Sequence, residues 1–272
     1  MNRLSRHRTT GWALTVLTVL AVSLGIPAQA TAAPGSEAAS TYRAAPAAQA
    51  DATGDVQAVR QNADGTTSVT VYRPAPGVSA DALAKKLKAK GVRGVQAPTS
   101  GDMTTRALPC SYGTARTMEC SPVRWAHNGF ADPQVYFLDH TSSAWPMTAV
   151  VPKWHESVGI DSYYRWYTDG CPGGGRHCAH VYNSNYGNTG WTGQTSYSYN
   201  SDRYLVDGSV SMQLNDYYGG SAAEHRNTAC HEAGHVLGLG HGTSTSSCMY
   251  SSRTSTTVPN ADDFALLPRI YP

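Results

Sequence analysis

Between residues 231 and 241 the chain reads His231-Glu232-Ala233-Gly234-His235-Val236-Leu237-Gly238-Leu239-Gly240-His241. Residues four apart on an α-helix lie nearly one above the other, so His231 and His235 can present imidazoles to one metal ion. Glu232, one step around, can reach a water on that ion without being a ligand. A third ligand on the same helix would splay too far round. Gly238 resolves this, because glycine's freedom at positive φ ends the helix and turns the chain back. His241 then arrives from another direction. Three nitrogen ligands with one position open is what a catalytic zinc requires, whereas a structural zinc is closed by four protein ligands. Zinc in that setting lowers the pKa of bound water toward ~7, and Glu232 is placed to accept its proton. Five fixed residues at fixed spacing are far more specific than a bare H-E-x-x-H. The blander readings are surface histidines on an amphipathic helix, or a metal site without catalysis. The second loses weight because Glu232, the residue such a relic would most readily lose, is present.

Other titratable residues are weaker candidates. His177 and His180 flank Cys178 in a glycine-rich stretch; a second metal is conceivable there, and solvated loop histidines are the commoner outcome. His225 precedes His231 by six positions, which turns it away from the metal face. The six cysteines, Cys110, Cys120, Cys171, Cys178, Cys230 and Cys248, all follow residue 109. None has C-x2-C spacing, so a cysteine-bound zinc is disfavoured. An even count reads as disulfides. Pairing of nearest neighbours is the simplest of the fifteen connectivities.

Several elements must position these residues. Ser221 to Glu224 is a capping-box signature, so a helix is expected from there through His235 to about Leu237, closed by Gly238. Val210 to Leu214 alternates like a strand. Val135–Leu138, Tyr163–Tyr167 and Ala179–Tyr182 are further strand candidates. A helix from Met147 to Ser157 is expected, kinked or delayed by Pro152. Asn183 to Arg203 is rich in Tyr, Gly, Asn and Ser and reads as strands with long turns. Strands followed by a decisive helix imply an α+β fold, with helices against one mixed sheet.

The start of the chain has a different character. Arg3, Arg6 and Arg8 precede the apolar run Trp12–Ile26 and the small-x-small pattern Ala28-Gln29-Ala30. This is the pattern of a signal peptide over residues 1–30, and the apolar run is short for a membrane span. Secretion to the extracellular space is therefore expected, in keeping with the cysteines. The span 31–106 reads as a linker followed by a probable pro-segment. Its first part, to about residue 52, is Ala/Pro/Ser/Thr-rich and unpatterned. A small β-α-β unit is expected over 55–97, with a strand at Ser68–Tyr72, a helix from Ser79 through Lys90 closed by Gly91, and a return strand at Val92–Val95. About forty residues bury little core, so the unit should lean on the domain that follows. It serves either as a removable pro-segment, with cleavage near Arg106, or as a permanent accessory module. Residues 107–272 form the main domain. A formal net charge of +2 with 15% charged residues gives no reason to expect nucleic-acid or membrane-surface binding.

With the histidine spacing in hand, the segment resembles the extended zinc signature of the metzincin metallopeptidases. It is closest to the matrixin (matrix metalloproteinase-like) group, in a secreted bacterial-type form. The resemblance implies a methionine turn beneath the zinc, and Met249 stands in the corresponding place, in Cys248-Met249-Tyr250. The tail from Asp262 to Tyr271 is similar to that group's closing helix, which is capped by paired aspartates. The resemblance is strong over 221–272 and looser over 108–220. It implies a metzincin-like zincin fold, a twisted mixed five-stranded sheet above the active-site helix with a small irregular C-terminal subdomain. It also implies an edge strand, between Tyr182 and Leu205, along which an extended polypeptide substrate lies. Met249 should then be a packing floor, with ordinary core filling the alternative. Tyr250 follows the methionine too closely for an oxyanion donor and is expected to pack. Ser251 stands where many matrixins have proline, which leaves the wall of the S1′ pocket open to revision. The calcium-binding and second-zinc loops of that group find no counterpart. No cysteine lies between 31 and 109, which excludes thiol-to-zinc latency.

The expectation is a secreted zinc metalloendopeptidase. One Zn2+ sits on His231, His235 and His241, Glu232 is the general base, and Gly238 and Met249 support the site. A monomer acting on extended polypeptide is the working picture. The competing class is a secreted, zinc-stabilised binding protein without catalysis.

Overall fold

The structure, a computed structural model, describes residues 56–96 and 110–272. The expected leader over 1–30, the linker, and the cleavage near Arg106 lie outside the described residues.

A hairpin opens the described chain. Its turn is tied by Asn62 Nδ2 donating to Thr66 Oγ1 (2.9 Å) and by the Thr66 amide donating to Asp64 Oδ1 (3.0 Å), while Gly65 takes φ +84°. It joins β1 (Val56–Gln61) to β2 (Thr67–Pro74), antiparallel, with Val56 opposite Tyr72. Next comes α1 (Ala80–Ala89), whose N-cap Ser79 accepts from the Ala82 amide. β3 (Val95–Gln96) then returns antiparallel to β1. The unit is thus β-β-α-β. The strand missing from the sequence reading is Val56–Gln61, whose apolar residues Val56, Ala58 and Val59 fall on both faces and blur the alternation. Val56, Tyr72, Leu83, Leu87 and Val95 form a small core that is completed by Trp191 from the main domain. So small a unit buries too little of its own surface, and it shares a core with its neighbour.

The main domain begins with the two-residue strands β4 (Ser111–Tyr112) and β5 (Ala115–Arg116). β6 (Gln134–Asp139), α2 (Met147–Trp154) and β7 (Asp161–Trp166) follow. Then come β8 (His177–Ser184), β9 (Trp191–Tyr199) and β10 (Ser211–Asn215), and finally α3 (Ala222–Val236) and α4 (Ala261–Ile270). The sheet order is β3-β1-β2-β9-β10-β8-β6-β7. β7, β6, β8 and β10 are parallel, and pairing is antiparallel from β9 outward. The five strands β9 to β7 are the mixed sheet anticipated for the main domain. The three added strands come from the preceding segment, so the sheet has eight.

Two sequence expectations need correction. α2 starts at Met147 despite Pro152 and ends at Trp154 rather than Ser157. The proline sits near the end of a short helix, and its missing amide deprives only Thr148, which is exposed and can be hydrated. The stretch Asn183–Arg203, read as strands with long turns, holds the end of β8 and one nine-residue strand, β9. Its inward positions are Gly193, Thr195, Tyr197 and Tyr199, which do not advertise a buried face.

α2 and α3 pack together beneath the sheet, with Phe137, Met147, Val151, Trp154, Met212 and Leu214 among the fully enclosed residues. Trp154 donates its indole N–H to the Cys230 carbonyl (3.1 Å), and Trp125 donates to the Val236 carbonyl (3.0 Å). Disulfides join Cys110 to Cys120, Cys171 to Cys178, and Cys230 to Cys248, the nearest-neighbour pairing. Among the described residues no helix is long and apolar enough to cross a membrane.

Candidate metal centre and cleft

α3 begins with a full capping box, Ser221 accepting from the Glu224 amide and Glu224 accepting from the Ser221 amide. From Asn227 to Val236 every residue of the helix is buried. That is unusual for a segment carrying His231, Glu232 and His235, because burying polar groups costs free energy unless partners are supplied. Gly238 takes φ +90°, and an added Cβ there would lie 2.8 Å from the Val123 carbonyl oxygen. Both its conformation and its surroundings therefore require glycine. The chain turns, and Gly240 donates to the Arg116 carbonyl (2.8 Å) on its way to His241.

The three histidines converge. His231 Nε2 lies 2.9 Å from His241 Nε2 and 3.1 Å from His235 Nε2. His231 Nδ1 is 2.8 Å from the Cys248 carbonyl oxygen and His235 Nδ1 is 2.8 Å from that of Leu239. A carbonyl can only accept, so both Nδ1 atoms carry the proton and both Nε2 atoms present bare lone pairs. Two lone pairs face each other at 3.1 Å in a buried site, an arrangement that a cation satisfies and that hydrogen bonding between the rings does not. The His231 ring is held well below the ordinary histidine range by burial first, then by the charge of Arg73 and by its two neighbours. It stays neutral and fit to ligate. Among the described residues this trio is the only convergent group of three or more His, Cys, Asp or Glu side chains. Histidine nitrogens in this number suit zinc.

Glu232 is fully buried beside the trio. Its Oε2 accepts from the Thr195 hydroxyl (2.7 Å) on β9, while Oε1 has no hydrogen-bond partner among the described residues. Burial pushes the carboxyl upward, opposed by the Thr195 hydrogen bond and the charge of Arg73. The close approach of Glu232 to β9 depends on Gly193, where a Cβ would lie 2.5 Å from Oε1. Beneath the histidines Met249 is fully buried, and a Cβ on Gly234 would stand 2.2 Å from its sulfur. Ser247 Oγ accepts from the Met249 amide (2.8 Å) and donates to Asp263, which also closes the capping box of α4 with Asn260. The paired aspartates thus sit in the first turn, with Asn260 as the cap itself.

The remaining candidates lie apart from the centre. His177 is held by Asp207 and the Ala126 carbonyl (both 2.7 Å). His180 meets His140 (2.9 Å). His225 bonds the Ala144 carbonyl and stacks on Trp145. Sequence reasoning missed Gly193, Thr195 and Arg73. Arg73 is fully buried, and its guanidinium donates to the carbonyls of Asn227 (3.3 Å), Tyr250 (3.3 Å) and Ser252 (3.1 Å). Strand alternation held the signal: Val69, Val71 and Arg73 share one face of β2, so a charge stands in register with two core valines.

A search of curated proteins finds no match. The matrixin family model matches residues 153–272, a span that contains β7 to β10, α3, the histidine trio, the methionine turn and α4. Over those residues the chain is similar to the matrixin family of zinc metallopeptidases.

Proposed function

We propose that the protein is a secreted endopeptidase that binds one zinc ion through His231, His235 and His241 and uses Glu232 as general base. The observation that carries this reading is the pair of Nδ1–H atoms tied to backbone carbonyls, which turns the bare Nε2 atoms toward one point beside a buried carboxylate. A zinc held by these three histidines would supply Lewis acidity to a water and to the substrate carbonyl. Glu232 removes the proton from the attacking water and then delivers it to the leaving amine. Thr195 holds Oε2 and so fixes the orientation of the carboxylate. His231 and His235 are kept in register by Cys248 and Leu239, partners of the kind that orient metal ligands. Met249 supports the ring floor.

The substrate is an extended polypeptide added to the side of β9 opposite β10. β2 fills that side in the full chain, along the whole of β9 from Tyr199 to Trp191. This favours the pro-segment over the accessory module, because an accessory module would leave the edge open. Activity should therefore follow removal of the segment ahead of the main domain, and mass spectrometry of secreted material should find a mature N-terminus near residue 107. Secreted protein should clear casein, lose that activity to 1,10-phenanthroline and regain it with added zinc. Equal clearing with and without the chelator would refute the reading.

A further inference from the structure

β2 covers β9 as a peptide would, and it also fills a side-chain pocket. It runs antiparallel to β9, with Val71 opposite Thr195, Tyr72 opposite Gln194 and Arg73 opposite Gly193. Thr195 donates to Glu232, and Gly193 leaves the room that its carboxylate occupies. Arg73 is thus the residue of the added strand that enters beside the reactive group. Past it the register shifts between Arg73 and Pro74, and Pro74 cannot donate to the ladder.

The Arg73 side chain passes between α3 and the segment after the methionine turn and is enclosed completely. Its three hydrogen-bond partners, from Asn227 on one wall and Tyr250 and Ser252 on the other, are all backbone carbonyls. Carbonyls can only accept, and a guanidinium can only donate. Burial lowers the pKa of the guanidinium, the Glu232 charge partly offsets this, and Arg253 adds to the lowering. An apolar side chain in this place would leave those acceptors facing hydrocarbon, a mismatch that sites built for hydrogen bonding penalise strongly. The walls belong to the main domain, so the pocket persists when β2 leaves.

We infer that residues 67–74 act as an internal substrate mimic, and that the pocket holding Arg73 selects an arginine or lysine side chain next to the scissile bond of the substrate. The inference rests on the peptidase reading for its meaning, but the pocket can be tested without activity. Arg73→Ala and Arg73→Met are made in the full chain, and their thermal unfolding is followed with added n-propylguanidinium, with 1-butanol as the apolar control. The guanidinium should raise the midpoint of Arg73→Ala and leave that of the wild type unchanged, and butanol should not substitute for it. Arg73→Met fills the space without charge and should not respond. Should Arg73→Ala not fold, guanidinium-dependent recovery of folded protein is the same readout. A rise with butanol equal to that with guanidinium, or none with either, overturns the pocket assignment.

Peptide-library cleavage by the zinc-loaded processed protein, from which the segment carrying Arg73 has been removed, supplies the second arm. Arg or Lys beside the cut should exceed Leu by about tenfold or more. Cleavage without that preference contradicts the selectivity while leaving the peptidase standing. Guanidinium binding without any chelator-sensitive cleavage supports the pocket and defeats the peptidase reading.

Discussion

Gly234 and Thr195 show how single residues hold the centre. Gly234 lies between the two helical histidines, and a methyl group there would meet both Met249 Sδ at 2.2 Å and Trp154 Cζ2 at 2.9 Å. Gly234→Ala should therefore destabilise the domain by about 1–3 kcal/mol through overpacking, measured by urea denaturation, and should weaken zinc binding as the floor shifts. An unchanged midpoint would contradict this packing role. Thr195→Val keeps the shape and removes the hydrogen bond to Glu232 Oε2. It should lower kcat by about tenfold or more with KM little altered, and a change confined to KM would show that Thr195 serves binding. The convergence of His231, His235 and His241 was legible in the sequence because helix geometry fixes their spacing. Gly193 and Thr195 were not, because they reach Glu232 across a strand pairing that no local spacing encodes.

At the scale of elements, the Cys230–Cys248 bridge ties α3 to the methionine turn, and the Cys248 carbonyl orients His231. Replacing both cysteines with serine should cost about 3 kcal/mol through the unfolded chain and should weaken zinc affinity as well. Loss of stability with unchanged zinc affinity would separate the bridge from the ligand. α4 is tied to the β4–β5 hairpin by Asp262, which accepts from the Thr114 amide (2.8 Å) and hydroxyl (2.7 Å). These bonds, with the charge of Arg116, hold its carboxyl below the ordinary range. A depressed folded pKa gives stability that is present above the unfolded value of ~3.9 and is lost as pH falls below it. Wild-type stability should consequently fall more steeply than that of Asp262→Asn between about pH 4 and pH 2, and parallel curves would deny Asp262 this role. The capping boxes, Gly238 and the strand cores were readable because they are local. β9 was hard to delimit because its buried face is built from Gly, Thr and Tyr.

For the whole molecule, the consequential feature is an eight-stranded sheet assembled from two parts of the chain. A small β-β-α-β unit was partly visible, and so was its need for a neighbour. Where it would dock was not, since a strand's partner across a sheet leaves no mark in its own periodicity. Arg73 was the one available clue, a charge on a face otherwise occupied by valines. If the unit leaves on maturation, the β9 amides facing β2 should exchange with solvent much faster in the processed protein than in the full chain. Equal protection in both forms would mean that the edge stays covered and that peptide must bind elsewhere.

The claim on which all of this depends is that a zinc held by His231, His235 and His241 works with Glu232. It is tested most directly by comparing zinc content and peptide cleavage in processed wild type and Glu232→Gln. The account predicts one zinc per chain in both, with cleavage reduced about a hundredfold or more in the variant. Full activity in zinc-loaded Glu232→Gln would contradict it.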